Sequence, residues 1–525
     1  MKRRSFLIAG GSAVLAGASS LSLDKLEPDF DHTFDMIVIG SGTGLCAALA
    51  GAKAGLEVLV LEKHALIGGT TLVSGGVLWV PNNRVMRREG LSDSRADALE
   101  YLEKLSLGQS TPDIMEAFVN QGPRMLEFIE SATSIRWRVS KRMREQPDYH
   151  PEWPGARLRG RSLEPIHEGE GRSGGLLIAE LTRACRASGV EMWNASPARR
   201  LITAQENGRT IVKGVEADVK GERKRIRARR GVAIISGGFE RNEEMKKHFL
   251  RGPSPYTLGA ETNEGDGIQM AMAVGADLRN MNEVWHEVVY KELGERSGHV
   301  RGGATVWAQI EGSQPGSIRV NRYGERFSNE SASYDATWRC FHTWENWGDT
   351  GYRNLPAYAI FDHAVRETGT IASRSADEPL PDWVVVAQTL GELAERSGID
   401  PQGLSKTVAR FNQFAAGGTD PDFHRGESLF DTRGSGDPLT TLRPLQKPPF
   451  YSAEVSPADL GTCGGIRVND KAEVLDVFGE RIVGLYAAGN TSGVGSPGAL
   501  YGGGGGTLGP AFTFAFIAGE QVAKS

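Results

Sequence analysis

The sequence predicts an α/β fold, on three observations. The apolar run Phe34–Ile39 is followed by Gly40, Gly42 and Gly44, an alanine-rich helical stretch to about Ala54, and a second apolar run, Val58–Leu61, that ends in Glu62. This is a βαβ unit of Rossmann-like type, with its acidic residue 22 positions after the first glycine. A chain of 525 residues is too long for that unit alone and implies two or three domains, or one nucleotide-binding domain with a large insertion. The stretch from about 279 to 445 carries no such glycine pattern and closes on the proline-rich "LTTLRPLQKPPFYS", as an inserted domain would.

The N-terminus "MKRRSFLIAGGSAVLAGASS" has a basic start, a weakly apolar stretch and small residues at Ala16 and Ala18. That is the grammar of a signal peptide, assigned to residues 1–28. Arg3-Arg4-Ser5-Phe6-Leu7 resembles a twin-arginine export signal, which implies a periplasmic or exported protein that folds before transport. A cytoplasmic location follows if the leader does not function.

The glycines after Phe34–Ile39 let backbone amides approach a pyrophosphate at a helix N-terminus. Glu62, followed by Lys63, is placed to accept bonds from both ribose hydroxyls. The pattern departs from G-x-G-x-x-G, because Leu45 holds the sixth position and the third glycine, Gly44, comes one place early. The next stretch separates FAD from NAD. NAD domains run on into another helix here, whereas this chain has Gly68-Gly69-Thr70-Thr71 and Ser74-Gly75-Gly76. A loop so rich in glycine and hydroxyl groups suits a large ligand lying across the sheet edge, and FAD is the expected cofactor.

Together with "GVAIISGGFERN" (Gly231–Asn242), "TNEGDGIQMAMAVGAD" (Thr262–Asp277) and "GLYAAGN" (Gly484–Asn490), these motifs resemble the flavoprotein family of fumarate reductase and the 3-ketosteroid dehydrogenases. The resemblance covers nearly the whole chain after about residue 30. It implies a discontinuous FAD-binding domain (32–278 and 446–525) with an inserted α+β substrate, or cap, domain (279–445). It adds Gly238, Asp266, Gly489, Asn490, Thr507 and Leu508 to the expected cofactor contacts.

Three readings compete once FAD is granted: reduction of a dicarboxylate, dehydrogenation of a ring ketone, and a different oxidation of an amine or sulfur group. Reduction of a dicarboxylate needs cations that clamp two carboxylates, for which Arg319, Arg322 and Arg326 in "RVNRYGERFSNE" are candidates. Dehydrogenation of a ring ketone has the fuller resemblance. "NESASY", "DYHPEWPGARLRGRSLEP" and "YGGGGGTLGPAFTF" are similar to stretches of the 3-ketosteroid 1-dehydrogenases. That resemblance implies Tyr334 as base and Tyr149 as its support, with His150 the rival for Tyr149. It implies the Tyr501 hydroxyl and the Gly505 amide as donors to the ketone oxygen.

The chemistry needs such groups. A hydrogen α to a ketone becomes acidic only when the enolate oxygen is stabilised, and each donor of an oxyanion hole is worth about 3–4 kcal/mol. A base then takes the α proton, while the β hydrogen leaves as hydride to the flavin. The expected substrate is a cyclic ketone, either a 3-ketosteroid or a smaller ring of the cyclohexanone type. Gly502 stands where the steroid enzymes have proline in a Y-P-G pattern, which bears on the steroid identity. The run Gly502–Gly506 precedes a helical pattern with Pro510 in its first turn, so these glycines are read as backbone that meets ligands.

Other classes are excluded or unsupported. A net charge of −5 gives no footprint for nucleic acid. The basic run "KGERKRIRARRG" alternates with Ile226 and Ala228, as a solvated strand face does. Cys46, Cys185, Cys340 and Cys463 form no CxxC, and the histidines form no HxxxH or HExxH. Stable membrane insertion is not expected, and the reaction requires a separate electron acceptor.

Overall fold

The computed structural model describes residues 29–141, 147–166, 173–297, 308–348, 350–495 and 497–525. The leader assigned to residues 1–28 lies outside them.

The first apolar run forms the strand His32–Ile39 at the centre of an eight-stranded sheet. It pairs in parallel with Val58–Leu61 on one side, with Met36 opposite Val58. On the other side it pairs in parallel with Glu222–Ile234, with Ile39 opposite Ile234. Glu191–Trp193 and Arg481–Ala487 extend the parallel core outward. Continuous apolar runs suit these strands because both faces are covered. The helices Gly44–Lys53 and Leu508–Lys524 pack together over the sheet, and a Cβ at Gly519 would lie 2.5 Å from the Ala47 carbonyl oxygen. The basic run lies in the hairpin Arg209–Val219/Glu222–Ile234, which buries Ile226 and Ala228 between outward charges.

A second sheet of six strands contains Val284–Tyr290, Ser317–Asn321, Ala357–Phe361 and Val385–Ala387. It also takes Tyr256–Thr257 and the long strand Phe450–Thr462, which runs antiparallel to Val284–Tyr290 and Ala357–Phe361. Strands on both sides of the expected 278/279 and 445/446 boundaries join this sheet. Phe450–Thr462 carries alternating residues that serve this second core, while its end delivers Gly461 and Thr462 to the first domain.

Two helices follow, Arg95–Ser106 and Pro112–Ala132, with a break where Leu107 takes φ +48°. Thr111 is the N-cap residue of the second helix, without a side-chain capping bond. Among the described residues no helix is long and apolar enough to cross a membrane, and no cluster of His, Cys, Asp and Glu could hold a metal ion.

Candidate active site

A cavity of about 760 Å³ runs from the carboxyl ends of the parallel strands to the second sheet. This is where ligands bind in open α/β sheets. At its first end lie Gly40 and Gly42, Glu62 and Lys63, the loop residues Gly69, Thr70, Thr71, Ser74, Gly75 and Gly76, and Asp266. Gly489, Asn490, Gly505, Thr507 and Leu508 line it from the C-terminal segment. Two expected contacts are displaced. Gly44 is packed under the helix start, its Cβ position 3.0 Å from Val38 Cγ1, and Gly238 faces Thr462 and Glu240 while its neighbour Gly237 reaches the cavity.

These residues fit FAD. Gly40 has φ +101°, and a Cβ there would sit 2.3 Å from the Ile235 carbonyl oxygen, so the turn into the helix admits only glycine. At Gly75, which lines the cavity, an added Cβ would meet nothing within 4 Å, so the chain itself makes no demand for glycine there. The Glu62 carboxylate is buried and oriented, accepting from Ser41 N (3.1 Å), Ser41 Oγ (2.5 Å) and His64 N (2.8 Å). Ser41 was not singled out in the sequence, although it stands between the first two glycines. Lys63 pairs with Glu264 and, at 2.8 Å, with Asp266, so those two expected contacts neutralise each other at the cavity wall.

At the other end three tyrosines converge. The Tyr149 hydroxyl donates to the Tyr334 oxygen at 3.0 Å. The ring centroids lie 5.5 Å apart for Tyr149 and Tyr334, 5.6 Å for Tyr334 and Tyr501, and 6.1 Å for Tyr149 and Tyr501. Tyr334 opens the helix Tyr334–Phe341, whereas Tyr149 and Tyr501 come from loops. His150 instead stacks on Trp153 at 4.0 Å and does not line the cavity.

Tyr501 is fixed from three sides. Its hydroxyl lies 2.5 Å from Thr507 Oγ1, its backbone N–H donates to Asp335 Oδ2 at 2.8 Å, and Trp285 meets its ring edge-on at 4.8 Å. Phe430 packs on Tyr149 at 4.9 Å. Asp335, Trp285 and Phe430 were missed in the sequence, and only Asp335, beside Tyr334, offered a signal. Gly505 has φ +95°, and its carbonyl accepts from Trp79 N at 3.0 Å. Its own N–H has no partner among the described residues.

Burial pushes all three phenols well above the ordinary tyrosine range, and at Tyr334 the neighbouring Tyr149 adds to the shift. Each therefore holds its proton at neutral pH. Thr507 acts the other way on Tyr501, partly offsetting burial through its hydrogen bond.

The arginines weighed as a dicarboxylate clamp do not line the cavity. Arg326 is buried against Glu330 (2.7 Å) and Asp420 (2.8 Å), Arg319 donates to Gln309 at 2.7 Å, and Arg322 lies over the Tyr323 ring. The lysine and arginine that do line it are Lys63, already paired, and Arg433, exposed at the rim beside Phe430.

Residues 35–508 match the protein family described as FAD binding domain. The chain is 35% identical to 4-oxocyclohexanecarboxylate 2-dehydrogenase of Sinomonas cyclohexanicum, over 94% of this chain and 93% of that protein. It is 34% identical to 3-oxosteroid 1-dehydrogenase of Mycobacterium tuberculosis, over 93% of this chain and 98% of the other. Among solved structures it resembles the 3-ketosteroid delta1-dehydrogenase from Sterolibacterium denitrificans in complex with 1,4-androstadiene-3,17-dione. The TM-score is 0.83 and the identity 29%, over 94% of this chain and all of that one.

Proposed function

Because the chain belongs to the FAD binding domain family and uses FAD, we propose that it dehydrogenates the carbon–carbon bond next to the carbonyl of a cyclic ketone. The observation that carries this reading is the convergence of Tyr149, Tyr334 and Tyr501 on one cavity with the unpartnered Gly505 N–H. Bound FAD supplies the acceptor for the hydride.

The protein's own groups handle the proton and the oxygen. The Tyr501 hydroxyl and the Gly505 amide hold the ketone oxygen, and Thr507 polarises the hydroxyl. Charge gathering on that oxygen acidifies the α carbon. Once its own proton has left to solvent, Tyr334 takes the α proton as the phenolate, and Tyr149 donates to the oxygen that receives it. The apolar lining residues Phe430 and Leu460 keep water from the enolate.

Relatives act on both steroids and small carboxylated rings, and Arg433 at the rim favours a ring ketone that carries a remote carboxylate. An exported, periplasmic location is part of the proposal and rests on Arg3-Arg4-Ser5-Phe6-Leu7; cell fractionation tests it.

The test is an anaerobic panel. The yellow enzyme is expected to bleach with 4-oxocyclohexanecarboxylate or a 3-ketosteroid and to stay yellow with saturated acids. Re-oxidation of dithionite-reduced enzyme by fumarate, with no bleaching by any cyclic ketone, overturns the reading. If the carboxylated ring is the substrate, Arg433→Gln raises its KM about 10-fold or more and leaves a neutral cyclohexanone unchanged.

A further inference from the structure

We propose that Trp79 is a positioning residue that sets the separation of Tyr149, Tyr501 and Gly505, acting through the Gly502 carbonyl and Asp148; the proposal rests on the ketone-dehydrogenase reading above. Trp79 is fully buried and does not line the cavity, yet it contacts Gly502 beside Tyr501, the Asp148 carboxylate beside Tyr149, and the Gly505 carbonyl.

Gly502 directly follows Tyr501. Its carbonyl accepts from Tyr149 N at 3.0 Å and from the Tyr101 hydroxyl at 3.0 Å. The Tyr101 oxygen in turn accepts from His150 N at 3.1 Å. Residues 149 and 150 are thus hung on the peptide that carries Tyr501, once directly and once through Tyr101.

Trp79 holds both ends of this arrangement. Its ring occupies the space that side chains on the glycine run would take. A Cβ at Gly502 would lie 2.5 Å from Trp79 Cζ2, and one at Gly503 would lie 2.7 Å from Cδ1. Its Nε1 donates to Asp148 Oδ1 at 2.9 Å, one residue before Tyr149. Asp148 is itself immobilised, since Oδ2 accepts from the buried Arg161 at 2.9 Å and from Arg157 N at 2.9 Å. Finally, the Trp79 backbone N–H donates to Gly505 O at 3.0 Å, which orients the Gly505 peptide.

The physical consequence is registration. A misplacement of about 1 Å between reacting groups can cost about 10²-fold in rate. A rigid indole seated on side-chain-free backbone holds three loops to finer tolerance than loops hold themselves. The glycine at 502 is therefore the complement of Trp79. A proline there, as in the steroid Y-P-G pattern, cannot share the space with this indole.

The test is a double-mutant cycle read by anaerobic flavin bleaching. Trp79→Phe keeps an aromatic ring beside the glycines but removes the donor to Asp148 and part of the indole that faces Gly502. It is expected to lower the bleaching rate about 10-fold, with FAD content and KM unchanged. Combined with Tyr149→Phe, the loss should be smaller than the product of the two single losses, because part of the Trp79 effect passes through Tyr149. Tyr101→Phe removes the bridge from Gly502 to His150 without touching the indole, and the same non-additive pattern is expected if Trp79→Phe does not fold. Fully multiplicative losses, or an unchanged rate in both single variants, overturn the positioning role alone. A wild type inert toward every cyclic ketone overturns the functional reading and this role with it.

Discussion

The Tyr149 hydroxyl donates to the Tyr334 oxygen at 3.0 Å, and no charged side chain lies between them. The donor is aimed at the atom that carries negative charge while Tyr334 is deprotonated, the form that can take a proton. A hydrogen bond to a charged oxygen is worth about 1.5–3 kcal/mol. Tyr149→Phe is thus expected to slow turnover about 10–10²-fold. Because burial holds the Tyr334 pKa above its usual range, the wild-type rate should itself climb with pH through and beyond neutrality. A profile that is flat from pH 6 to 9 in both proteins contradicts this assignment.

Tyr501 and Thr507 make the second pair, with their oxygens 2.5 Å apart. If the Tyr501 hydroxyl holds the ketone oxygen, Tyr501→Phe removes one oxyanion donor and slows enolisation about 10²–10³-fold. Thr507→Ala only weakens that donor and is expected to cost about 10-fold. Exchange of the ketone's α hydrogens with deuterated water, followed by NMR, reads this step without relying on turnover. Equal exchange rates in all three proteins would remove Tyr501 from the oxyanion role.

The parallel core and its glycine turn were legible because their signals are local: continuous apolar strands, a helix-start turn and an acid at fixed spacing. Tyr149, Tyr334 and Tyr501 were legible only through resemblance, since nothing local to "DYHPEW" or "NESASY" says that they meet. That Phe450–Thr462 pairs with Val284–Tyr290 and Ala357–Phe361 is not legible in the sequence, because a strand's partners are not written in its own residues. The glycine run was read as backbone that meets ligands. For Gly505 the close approach of Val77 and Trp79 also demands glycine, and for Gly502 and Gly503 the occupant is an indole 423 to 424 positions earlier in the chain. Asp335, Trp285 and Phe430 escaped notice for the same reason: their importance is created by packing.

Glu287 is buried on the strand Val284–Tyr290, and its Oε2 has no hydrogen-bond partner among the described residues. Burial pushes its pKa up to about 8. The folded state therefore keeps a proton that the unfolded chain releases near its ordinary value. This contribution is fully present below about pH 4.5, is lost progressively as pH rises to about 8, and then levels off. Glu287→Gln is neutral throughout and should flatten the fall, raising Tm at pH 8 by about 5 °C relative to wild type. Glu240 and Asp459, pushed up to about 7 and about 6 by burial, titrate in the same window in both proteins. The difference between the two melting curves thus isolates Glu287, and parallel curves from pH 5 to 8 contradict the account.

The central claim is that Tyr334 removes the α proton, and rapid-mixing anaerobic bleaching of Tyr334→Phe by the best cyclic ketone tests it most directly. The account predicts full FAD content, unchanged ketone binding and a bleaching rate lowered about 10³–10⁴-fold. Bleaching at the wild-type rate would contradict it.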